Sequence, residues 1–332
     1  MEETDNVERC DVAVVEDVWG PAFEQLATRR AVRRAPEAWA DASQLHDTAT
    51  GAAALVVRNR TQVTRELLHA TPSLRVVARA GVGLDNIDLS AADELGVVVV
   101  AALGANAASV AEHSLALALA VARHVVPLDA KVRQGTWDRL PGKELSGGTW
   151  GLLSAGATAR ATARLARGLG MRVIAHDPHI DPSLPELRDL GIDLLPLEEV
   201  VSAADVLSVH LPSTPQTHHL VDARLLSHMR PDAIVVNVGR GEVVDEEALA
   251  DALERGHLYG AGLDVREHEP PGESRLHRLP NVVLSPHVAG VTKEAQARIG
   301  ELLCQDIERV LSGEDARHAV GTHRRPDERV TA

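Results

Sequence analysis

The chain of 332 residues has very few aromatic side chains: four Trp, one Tyr and one Phe. Its hydrophobic cores must therefore be built from Ala, Val and Leu, and a surface that stacks nucleic-acid bases on aromatic rings is disfavoured. Cysteine is equally scarce, since Cys10 and Cys304 are the only two. Two cysteines so far apart in sequence provide neither a disulfide framework nor a C-x-x-C redox or zinc motif.

The sequence also lacks an excess of positive charge and any long apolar run. Its 48 acidic residues outnumber its 34 basic residues, and the formal net charge of -14 at pH 7 argues against nucleic acid or an anionic membrane as a partner. No uncharged apolar stretch reaches the roughly 18 residues of a transmembrane helix. The acidic N-terminus, MEETDNVERC, has no signal-peptide features. These properties predict a cytoplasmic protein.

Short β-branched runs alternate with helix-like segments along the chain. The runs that predict buried strands are 12–15, 54–57, 75–78, 97–100, 150–153, 171–175, 206–210, 234–237, 261–264 and 282–284. The segment 61–69, between the second and third of these runs, and the segment 89–95, between the third and fourth, have helical spacing. Such alternation predicts an α/β protein with two doubly wound parallel sheets, each covered by helices on both faces.

Two longer helical segments indicate how the chain divides into domains. The segment 109–121, SVAEHSLALALAV, is apolar on most sides and must therefore be buried. It would be buried if it crossed into another domain or subunit. The segment 293–311 also has helical spacing and would return to the first domain. The predicted domains are therefore a discontinuous one of residues 1–106 plus 293–332 and a second of residues 107–292. Few apolar residues occur in 313–332, which predicts a flexible tail.

Residues 150–178 contain a strand, a tight turn, a helix and a second strand that ends at Asp177. This order is typical of a Rossmann unit, in which helix N-terminal amides bind a pyrophosphate and the acid accepts from ribose hydroxyls. Because an acid there repels a 2'-phosphate, NAD is favoured over NADP. The turn departs from G-x-G-x-x-G, since only Gly156 remains and Ser154 and Ala159 take the other two positions. From the turn alone, a structural strand-turn-helix without a ligand is equally compatible.

Candidate catalytic residues follow other predicted strands. Arg240 lies between two glycines in NVGRGE, where its guanidinium suits a carboxylate, although a surface ion pair is the alternative. Glu269 and His287 follow two separate strands, and a carboxylate that holds a histidine in one tautomer makes it a general base for a hydroxyl group. A solvated acid and a packed histidine are the alternatives. No second histidine lies four residues from His287, and we expect no metal site.

Three further positions have both a structural and a functional interpretation. Asp264 ends a strand, and it either caps the next turn or orients a nicotinamide ring. The two glycines of RAGVGLDNID, residues 79–88, could direct backbone amides at an anion or serve only a turn. Arg58 and Arg60 could bind a second anionic group of the substrate, or lie in a solvated loop.

Several of these motifs occur together in one known family. From residue 53 to residue 311 the chain resembles the D-isomer-specific 2-hydroxyacid dehydrogenases, in their phosphoglycerate dehydrogenase-like branch. The resemblance is carried by RAGVGLDNID, GANAASVAEHSLALAL, the Rossmann unit, NVGRGEVVDEEALADAL, AGLDVREHEP and SPHVAGVTKEAQARIGEL. It implies a Rossmann NAD-binding domain, a flavodoxin-like substrate-binding domain and a cleft between them.

The resemblance also implies a role for individual residues. Arg240 would bind the substrate carboxylate, Glu269 would support the base, and His287 would exchange the proton of the substrate hydroxyl. Asn106 and Ser109 would lie beside the active site, and the helix at 109–121 with the arm to residue 147 would form a homodimer. The candidate substrate-binding residues are Arg58, Arg60, Arg79, Val82, Gly83, Asn106 and Arg240. The candidate cofactor-binding residues are Ser154, Gly156, Ala157, Thr158, Asp177, His210, Pro212, Thr217, Val238, Gly239, Asp264 and Gly290.

The sequence departs from the family pattern at Ser154, and at Ala101 and Leu103, where asparagine and proline are common. It also has no regulatory domain after the last helix. The lack of such a domain argues against feedback regulation by serine. The expected function is an NAD-dependent oxidoreductase that interconverts a D-2-hydroxy acid and a 2-keto acid, with a 3-phosphoglycerate- or hydroxypyruvate-like substrate. The alternative is an NAD(H)-responsive binding protein with little or no turnover, similar to the transcriptional corepressors that share this fold. Ser154 is the residue that favours this alternative.

Overall fold

The structure, a computed structural model, describes residues 10–326 of the chain. The acidic residues 1–9, which argue against a signal peptide, and residues 327–332, the end of the predicted tail, lie outside the described residues. The chain divides into two compact units. Unit 1 comprises Met1–Asn106 and Thr292–Ala332, and unit 2 comprises Ala107–Val291.

Strands and helices alternate through both units. The strands are β1 (Val12–Val14), β2 (Val32–Arg34), β3 (Ala54–Val57), β4 (Val76–Arg79), β5 (Val98–Ala101), β6 (Thr149–Leu153), β7 (Arg172–His176), β8 (Ile192–Leu194), β9 (Val206–Val209), β10 (Ile234–Asn237), β11 (Gly260–Leu263) and β12 (Val282–Leu284). The helices are α1 (Pro21–Ala27), α2 (Ala42–Ala49), α3 (Arg65–Ala70), α4 (Leu89–Glu94), α5 (Ala107–Ala122), α6 (Val125–Arg133), α7 (Ala157–Gly168), α8 (Pro185–Asp189), α9 (Leu197–Ala203), α10 (Ala223–Ser227), α11 (Glu246–Glu254) and α12 (Lys293–Leu311). Within residues 10–326, none of the helices combines the length and the apolar character needed to cross a bilayer.

Unit 1 is built on a five-stranded parallel sheet in the order β2-β1-β3-β4-β5. This is the flavodoxin-like order. Every residue of β1, β3, β4 and β5 is buried, so both faces of the sheet are covered. The long helix α12 packs against α1 and the sheet, and it begins where the side chain of Thr292 accepts a hydrogen bond from the amide of Ala295.

The segment after α12, predicted as a flexible tail, makes specific contacts within unit 1. Asp306 of α12 is 1% exposed, and its carboxylate accepts hydrogen bonds from the amides of Arg317 and His318. The Nδ1 atom of His318 lies 2.8 Å from the same carboxylate. Ala319 then forms an antiparallel bridge with Val100 of β5. This segment is held by hydrogen bonds of its backbone and of the Asp306 carboxylate. Its low content of apolar residues therefore gives no indication of these contacts.

Unit 2 is built on a seven-stranded parallel sheet in the order β12-β11-β10-β9-β6-β7-β8. This is the Rossmann order with one additional strand at an edge, and the strand order reverses between β6 and β9. The carboxyl ends of these two strands are therefore the expected place for a ligand. The two parallel sheets confirm the predicted α/β fold class.

Helix α5 packs along the sheet of unit 2, against β10, β11 and the neighbouring helix α7. Two glycines of β11 allow this close packing. A Cβ atom at Gly260 would lie 2.6 Å from Cγ1 of Val121, and one at Gly262 would lie 2.7 Å from Cβ of Leu117. The burial that the sequence requires for this helix is thus provided largely by unit 2, and crossing into another domain is not needed for it.

Candidate active site

The predicted acid and base of unit 2 are hydrogen-bonded to each other. The Nδ1 atom of His287 lies 2.7 Å from Oε2 of Glu269, and the two side chains are 39% and 35% exposed. Partial burial by itself would raise the pKa of Glu269, but the hydrogen bond and charge of His287 and the amide of Arg266 outweigh burial and hold that pKa below its usual value. The carboxylate is therefore ionised at neutral pH, and it is partly exposed to solvent.

Asp264 fixes the loop that carries His287. It follows β11, and its side chain is 0% exposed. Its Oδ1 atom accepts hydrogen bonds from the hydroxyl of Ser285 at 2.6 Å and from the amide of Val288 at 2.9 Å. Its Oδ2 atom accepts from the amide of Ala289 at 2.8 Å, and its carbonyl oxygen accepts from the amide of His287 at 2.7 Å. One acidic residue thus holds the backbone of His287 and the residues on either side of it.

The charge of Asp264 is strongly stabilised. Burial would raise its pKa, but hydrogen bonds from His113, Ser285 and two backbone amides lower the pKa to about 2. His113, on α5, places Nε2 at 3.3 Å from Oδ1. These bonds hold His287 at a φ of 55°, a conformation uncommon for a residue other than glycine. The turn-capping interpretation of Asp264 fits this geometry, and a contact with nicotinamide stays a prediction.

Arg240 lies on a tightly packed turn. A Cβ atom at Gly239 would lie 2.7 Å from a backbone oxygen, and one at Gly241 would clash with the backbone after β11. The side chain of Asn237 accepts from the amide of Gly239 and donates to the carbonyl of Arg240. The two glycines therefore permit close backbone approach, which fixes the base of the Arg240 side chain.

A buried ion pair supports the segment that carries Glu269. Arg266 is 7% exposed and donates to both carboxylate oxygens of Glu246, at 2.8 and 2.6 Å. The same carboxylate accepts from the amide of Glu267, and the amide of Arg266 donates to Glu269 at 3.1 Å. Sequence reasoning missed this pair because its members are 20 residues apart, in two separate motifs, and no spacing pattern indicates that they meet.

The turn between β6 and α7 presents backbone amides at the start of a helix. Gly156 is the N-cap of α7, and no side chain caps the helix there, so its first amides are suited to an anion. Ser154 has a φ of 106°, a region that normally takes glycine. Its hydroxyl accepts from the amide of Gly156 at 3.1 Å. The serine is accommodated by this local bond.

Asp177 lies beside the same turn, at the end of β7. Its Oδ2 atom accepts from the amide of Ala155 at 2.9 Å and from the hydroxyl of Ser154 at 3.4 Å. Its Oδ1 atom accepts from the amide of His179. This partly buried acid is placed where a Rossmann unit requires a ribose acceptor.

His210 follows β9, next to the point where the strand order reverses. Burial lowers its pKa to about 3, so the ring is neutral. Its Nε2 atom lies 3.0 Å from the hydroxyl of Ser208, while its buried Nδ1 atom has no hydrogen-bond partner among the residues that the structure describes. The unpaired nitrogen, the helix amides and Asp177 together fit a dinucleotide cofactor at this edge.

The other cofactor candidates lie on the same side of unit 2. Each follows the carboxyl end of a strand, lies in a loop next to one, or begins α7: Ala157, Thr158, Pro212, Thr217, Val238, Gly239 and Gly290. The hydroxyl of Thr217 donates to the carbonyl of Pro212 at 2.7 Å, which closes the loop after β9. Carboxyl ends of parallel strands are the usual ligand-binding edge of such a sheet.

In unit 1, a buried acid anchors the loop that carries Arg58 and Arg60. Glu16 is 3% exposed and accepts hydrogen bonds from the amides of Arg58 at 2.7 Å, Arg60 at 3.1 Å and Thr61 at 3.0 Å. The side-chain amide of Asn86 donates to the carbonyls of Arg58 and Thr61. The backbone of this loop is therefore fixed, although the side chain of Arg60 is exposed.

The remaining substrate candidates of unit 1 differ in their surroundings. The guanidinium of Arg60 lies 4.5 Å from the centre of the Trp39 ring, a cation–π contact. Arg79 and Asn106 are 8% and 9% exposed, and Oδ1 of Asn106 has no hydrogen-bond partner within residues 10–326. Val82 and Gly83 follow Arg79 in the turn after β4.

The strand order of unit 2, the amides at Gly156 and the position of Asp177 define a dinucleotide-binding α/β unit. Comparison with known proteins narrows this class. The family model for the NAD-binding domain of D-isomer-specific 2-hydroxyacid dehydrogenases matches residues 115–289. The chain belongs to the D-isomer-specific 2-hydroxyacid dehydrogenase family.

Individual relatives agree with this assignment. The chain is 44% identical over 269 residues to the D-3-phosphoglycerate dehydrogenase of Mycobacterium bovis, a match that covers 80% of the chain and 51% of the relative. It is 41% identical over 258 residues to the hydroxypyruvate reductase of Thermotoga maritima, covering 76% and 83%. The crystal structure of the TT0316 protein of Thermus thermophilus has a TM-score of 0.86 and 35% identity, and covers 93% and 99%. The chain spans about half the length of the phosphoglycerate dehydrogenases that it matches.

Proposed function

We propose that the protein is an NAD-dependent oxidoreductase that interconverts a D-2-hydroxy acid and the corresponding 2-keto acid. The observation that carries this proposal is the 2.7 Å contact between His287 and Glu269, in a chain that belongs to this family. An imidazole oriented by an ionised carboxylate can exchange a proton with an alcohol near neutral pH. The loop that carries His287 and the segment that carries Glu269 are both fixed by hydrogen bonds, so the two side chains are kept in one geometry.

In the direction of oxidation, Nε2 of His287 accepts the proton of the substrate hydroxyl, because Nδ1 is directed at Glu269. The carboxylate of Glu269 stabilises the imidazolium that results. Arg240 binds the substrate carboxylate, since a guanidinium matches its two oxygens. NAD, which the amides at the start of α7 and the carboxylate of Asp177 would hold, would supply the acceptor for the hydride that leaves C2 of the substrate. In the reverse direction, His287 returns the proton to the carbonyl oxygen.

Asp177 supports NAD rather than NADP as the cofactor. Its carboxylate is anchored beside the β6–α7 turn by the amide of Ala155, so it cannot move far from an adenosine ribose bound there. It would accept hydrogen bonds from the ribose hydroxyls and repel a 2'-phosphate. We expect activity with NADH to exceed activity with NADPH.

For the substrate, we propose a 3-phosphoglycerate- or hydroxypyruvate-like acid. The names of the relatives, D-3-phosphoglycerate dehydrogenase and hydroxypyruvate reductase, support this choice. In unit 1, Arg58 and Arg60 would bind a second anionic group, and Glu16 fixes the backbone from which both side chains extend. The amides of Val82 and Gly83 would bind the substrate carboxylate.

The alternative function, an NAD(H)-responsive binding protein, has less support. The relatives are named as a dehydrogenase and a reductase. Ser154, the residue that favoured the alternative, is accommodated within the turn by its bond to Gly156, which leaves the other early amides of α7 for an anion. Stabilisation by NADH without turnover of any keto acid would support the alternative instead.

We further propose a cytoplasmic homodimer. Both cysteines are free and buried, as suits a reducing compartment. On α6 and the arm after it, large apolar side chains are between 46% and 74% exposed: Val125, Val126, Val132, Trp137 and Leu140. A second copy of the chain would cover this apolar surface. Light scattering after size-exclusion chromatography tests the dimer, and a monomeric mass would contradict it.

The test of the proposed function is a spectrophotometric screen of glyoxylate, hydroxypyruvate and phosphohydroxypyruvate with NADH and with NADPH. In His287→Ala we expect turnover to fall by about 10²- to 10⁴-fold, because the general base is lost, while NADH affinity in a fluorescence titration changes little. His228→Ala, at an exposed histidine in the segment after α10, is the matched control. Near-normal turnover in His287→Ala would overturn the assigned base.

A further inference from the structure

Two adjacent histidines and a glutamate from a distant segment converge on the surface of unit 2. Nε2 of His219 lies 2.9 Å from Oε1 of Glu267. The rings of His218 and His219 stack with their centroids 4.1 Å apart and their planes at 28°. One ligand atom from each of the three residues lies within 4.8 Å of the other two.

The two segments that carry these side chains are fixed before any ion binds. His219 has a φ of 50°, and its amide donates to the carbonyl of Glu242 at 2.8 Å. The amide of Glu267 donates at 2.8 Å to Glu246, which is itself held by the buried ion pair with Arg266. The backbone at His219 and Glu267 is therefore preorganised, and binding would have to order mainly the side chain of His218.

We propose that His218, His219 and Glu267 form a binding site for a transition-metal cation such as Zn²⁺. Two imidazole nitrogens and one carboxylate oxygen are a common zinc ligand set, with bonds of about 2.0–2.2 Å and ligands about 3.3 Å apart in a tetrahedral arrangement. The contact between His219 and Glu267 is already close to that separation. His218 is exposed, so rotation of its side chain can bring its nitrogen to the ion, and water completes the coordination.

The chemistry of the ligands also sets the selectivity of the site. Mg²⁺ and Ca²⁺ prefer oxygen ligands, whereas imidazole suits zinc, copper and nickel. A cation would replace the hydrogen bond between His219 and Glu267. The site is distinct from the acid–base pair, although Glu267 is two residues from Glu269 in sequence, and it does not depend on oxidoreductase activity.

Sequence reasoning expected no metal site, and the positions of the ligands explain why. His219 and Glu267 are 48 residues apart, and two consecutive histidines do not match the i, i+4 spacing of a metal-binding helix. Only the fold brings the loop after β9 to the loop after β11. These two strands lie on either side of β10 in the sheet.

The experiment is a titration of the dialysed full-length protein with ZnCl₂ in competition with a chromogenic zinc indicator. We expect wild type to bind one Zn²⁺ at this site, and His218→Ala and Glu267→Gln each to bind it at least about tenfold more weakly. Loss of a residue that only hydrogen-bonds to a metal ligand typically lowers metal affinity by about tenfold or more, and loss of a ligand itself should lower it by at least as much. His228→Ala is the control and should bind as wild type does. Circular dichroism confirms that each variant is folded.

Substitution with Co²⁺ gives a second readout, because its visible absorption reports the ligands directly. We expect a spectrum in wild type that is lost in His218→Ala and retained in His228→Ala. Absence of stoichiometric Zn²⁺ binding, or equal affinity in wild type, His218→Ala and Glu267→Gln, would overturn the proposal. Loss of binding in His287→Ala alone would place the ion at the acid–base pair, and would overturn it as well.

Discussion

Asp264 in unit 2 and Glu16 in unit 1 each use a buried carboxylate to hold a loop by its backbone amides. Asp264 accepts from two amides, from the hydroxyl of Ser285 and from His113. Glu16 accepts from the amides of three residues in one short loop. The loop of Asp264 carries a histidine, whereas the loop of Glu16 carries arginines with long side chains.

The difference matches what each proposed role demands. A general base must hold its ring within a few tenths of an ångström of one position, because proton transfer depends on that geometry. An arginine that binds an anion needs only a fixed backbone, because its side chain can adjust to the ligand. The exposed guanidinium of Arg60, in contact with Trp39, is consistent with this looser requirement.

Among substitutions that leave His287 itself unchanged, the largest effect is expected from Asp264→Asn. The variant loses the charge that holds Ser285, Val288 and Ala289, so His287 is displaced, and turnover should fall by about 100-fold or more. Because the pKa of Asp264 is lowered to about 2 from 3.8, its ionised form stabilises the fold by about 2 kcal/mol above pH 4. That stabilisation is lost as the pH falls from 4 towards 2. Denaturant unfolding at pH 7 and pH 3 measures it.

Asp193→Asn is the control for Asp264→Asn. Asp193 is 57% exposed and pairs with Arg172 on the surface, so its substitution should change the free energy of unfolding by less than about 1 kcal/mol. If the two substitutions changed turnover equally, the proposed difference between a fixed base and a surface acid would be wrong.

A smaller and more selective effect is expected from Glu16→Gln. With the anionic acceptor removed, the loop of Arg58 and Arg60 loses its position, and KM for phosphohydroxypyruvate should rise by about tenfold, the value of roughly one charge-assisted hydrogen bond. The KM for glyoxylate, which has no second anionic group, should change little. Equal KM changes for both keto acids would show that Glu16 has only a structural role.

The smallest effect is expected from Ser154→Gly. Glycine removes the strain of a φ of 106° but also removes the hydroxyl that accepts from Gly156, so the two contributions of about 1 kcal/mol each nearly cancel. With the amide of Gly156 released for the pyrophosphate, we expect NADH to bind more tightly by less than about tenfold. Fluorescence titration measures the affinity, and weaker binding would contradict the expectation.

Much of the fold follows from patterns that are local in sequence. The alternation of apolar runs predicted the buried strands of both sheets, and the spacing after Thr292 predicted α12 with its observed bounds. The edge strands β2 and β8 were missed because each has three residues and includes exposed polar side chains. The helix predicted from residue 61 begins at Arg65, because Thr64 caps it and Val63 bridges to Ile87.

For the candidate site too, local patterns identify individual residues but not the tertiary contacts between them. The order of motifs brought Glu269 and His287 into consideration, and the structure gives their contact. The glycines beside Arg240 are needed for close backbone approach, which their positions in the sequence alone do not indicate. The residues that position the site, Glu246, Arg266 and Glu16, act on partners 20 or more residues away. Contacts at such separations arise from tertiary packing, and a single sequence carries no spacing signal for them.

The bridge between Ala319 and Val100 has a consequence for solubility. A sheet edge with unpaired amides and carbonyls can add a strand from another molecule, which is a common route to aggregation. In unit 1, the segment after α12 occupies part of the β5 edge, and Asp306 keeps that segment in register through Arg317 and His318. The described segment at 317–320 thus protects the β5 edge from the addition of a strand from another molecule.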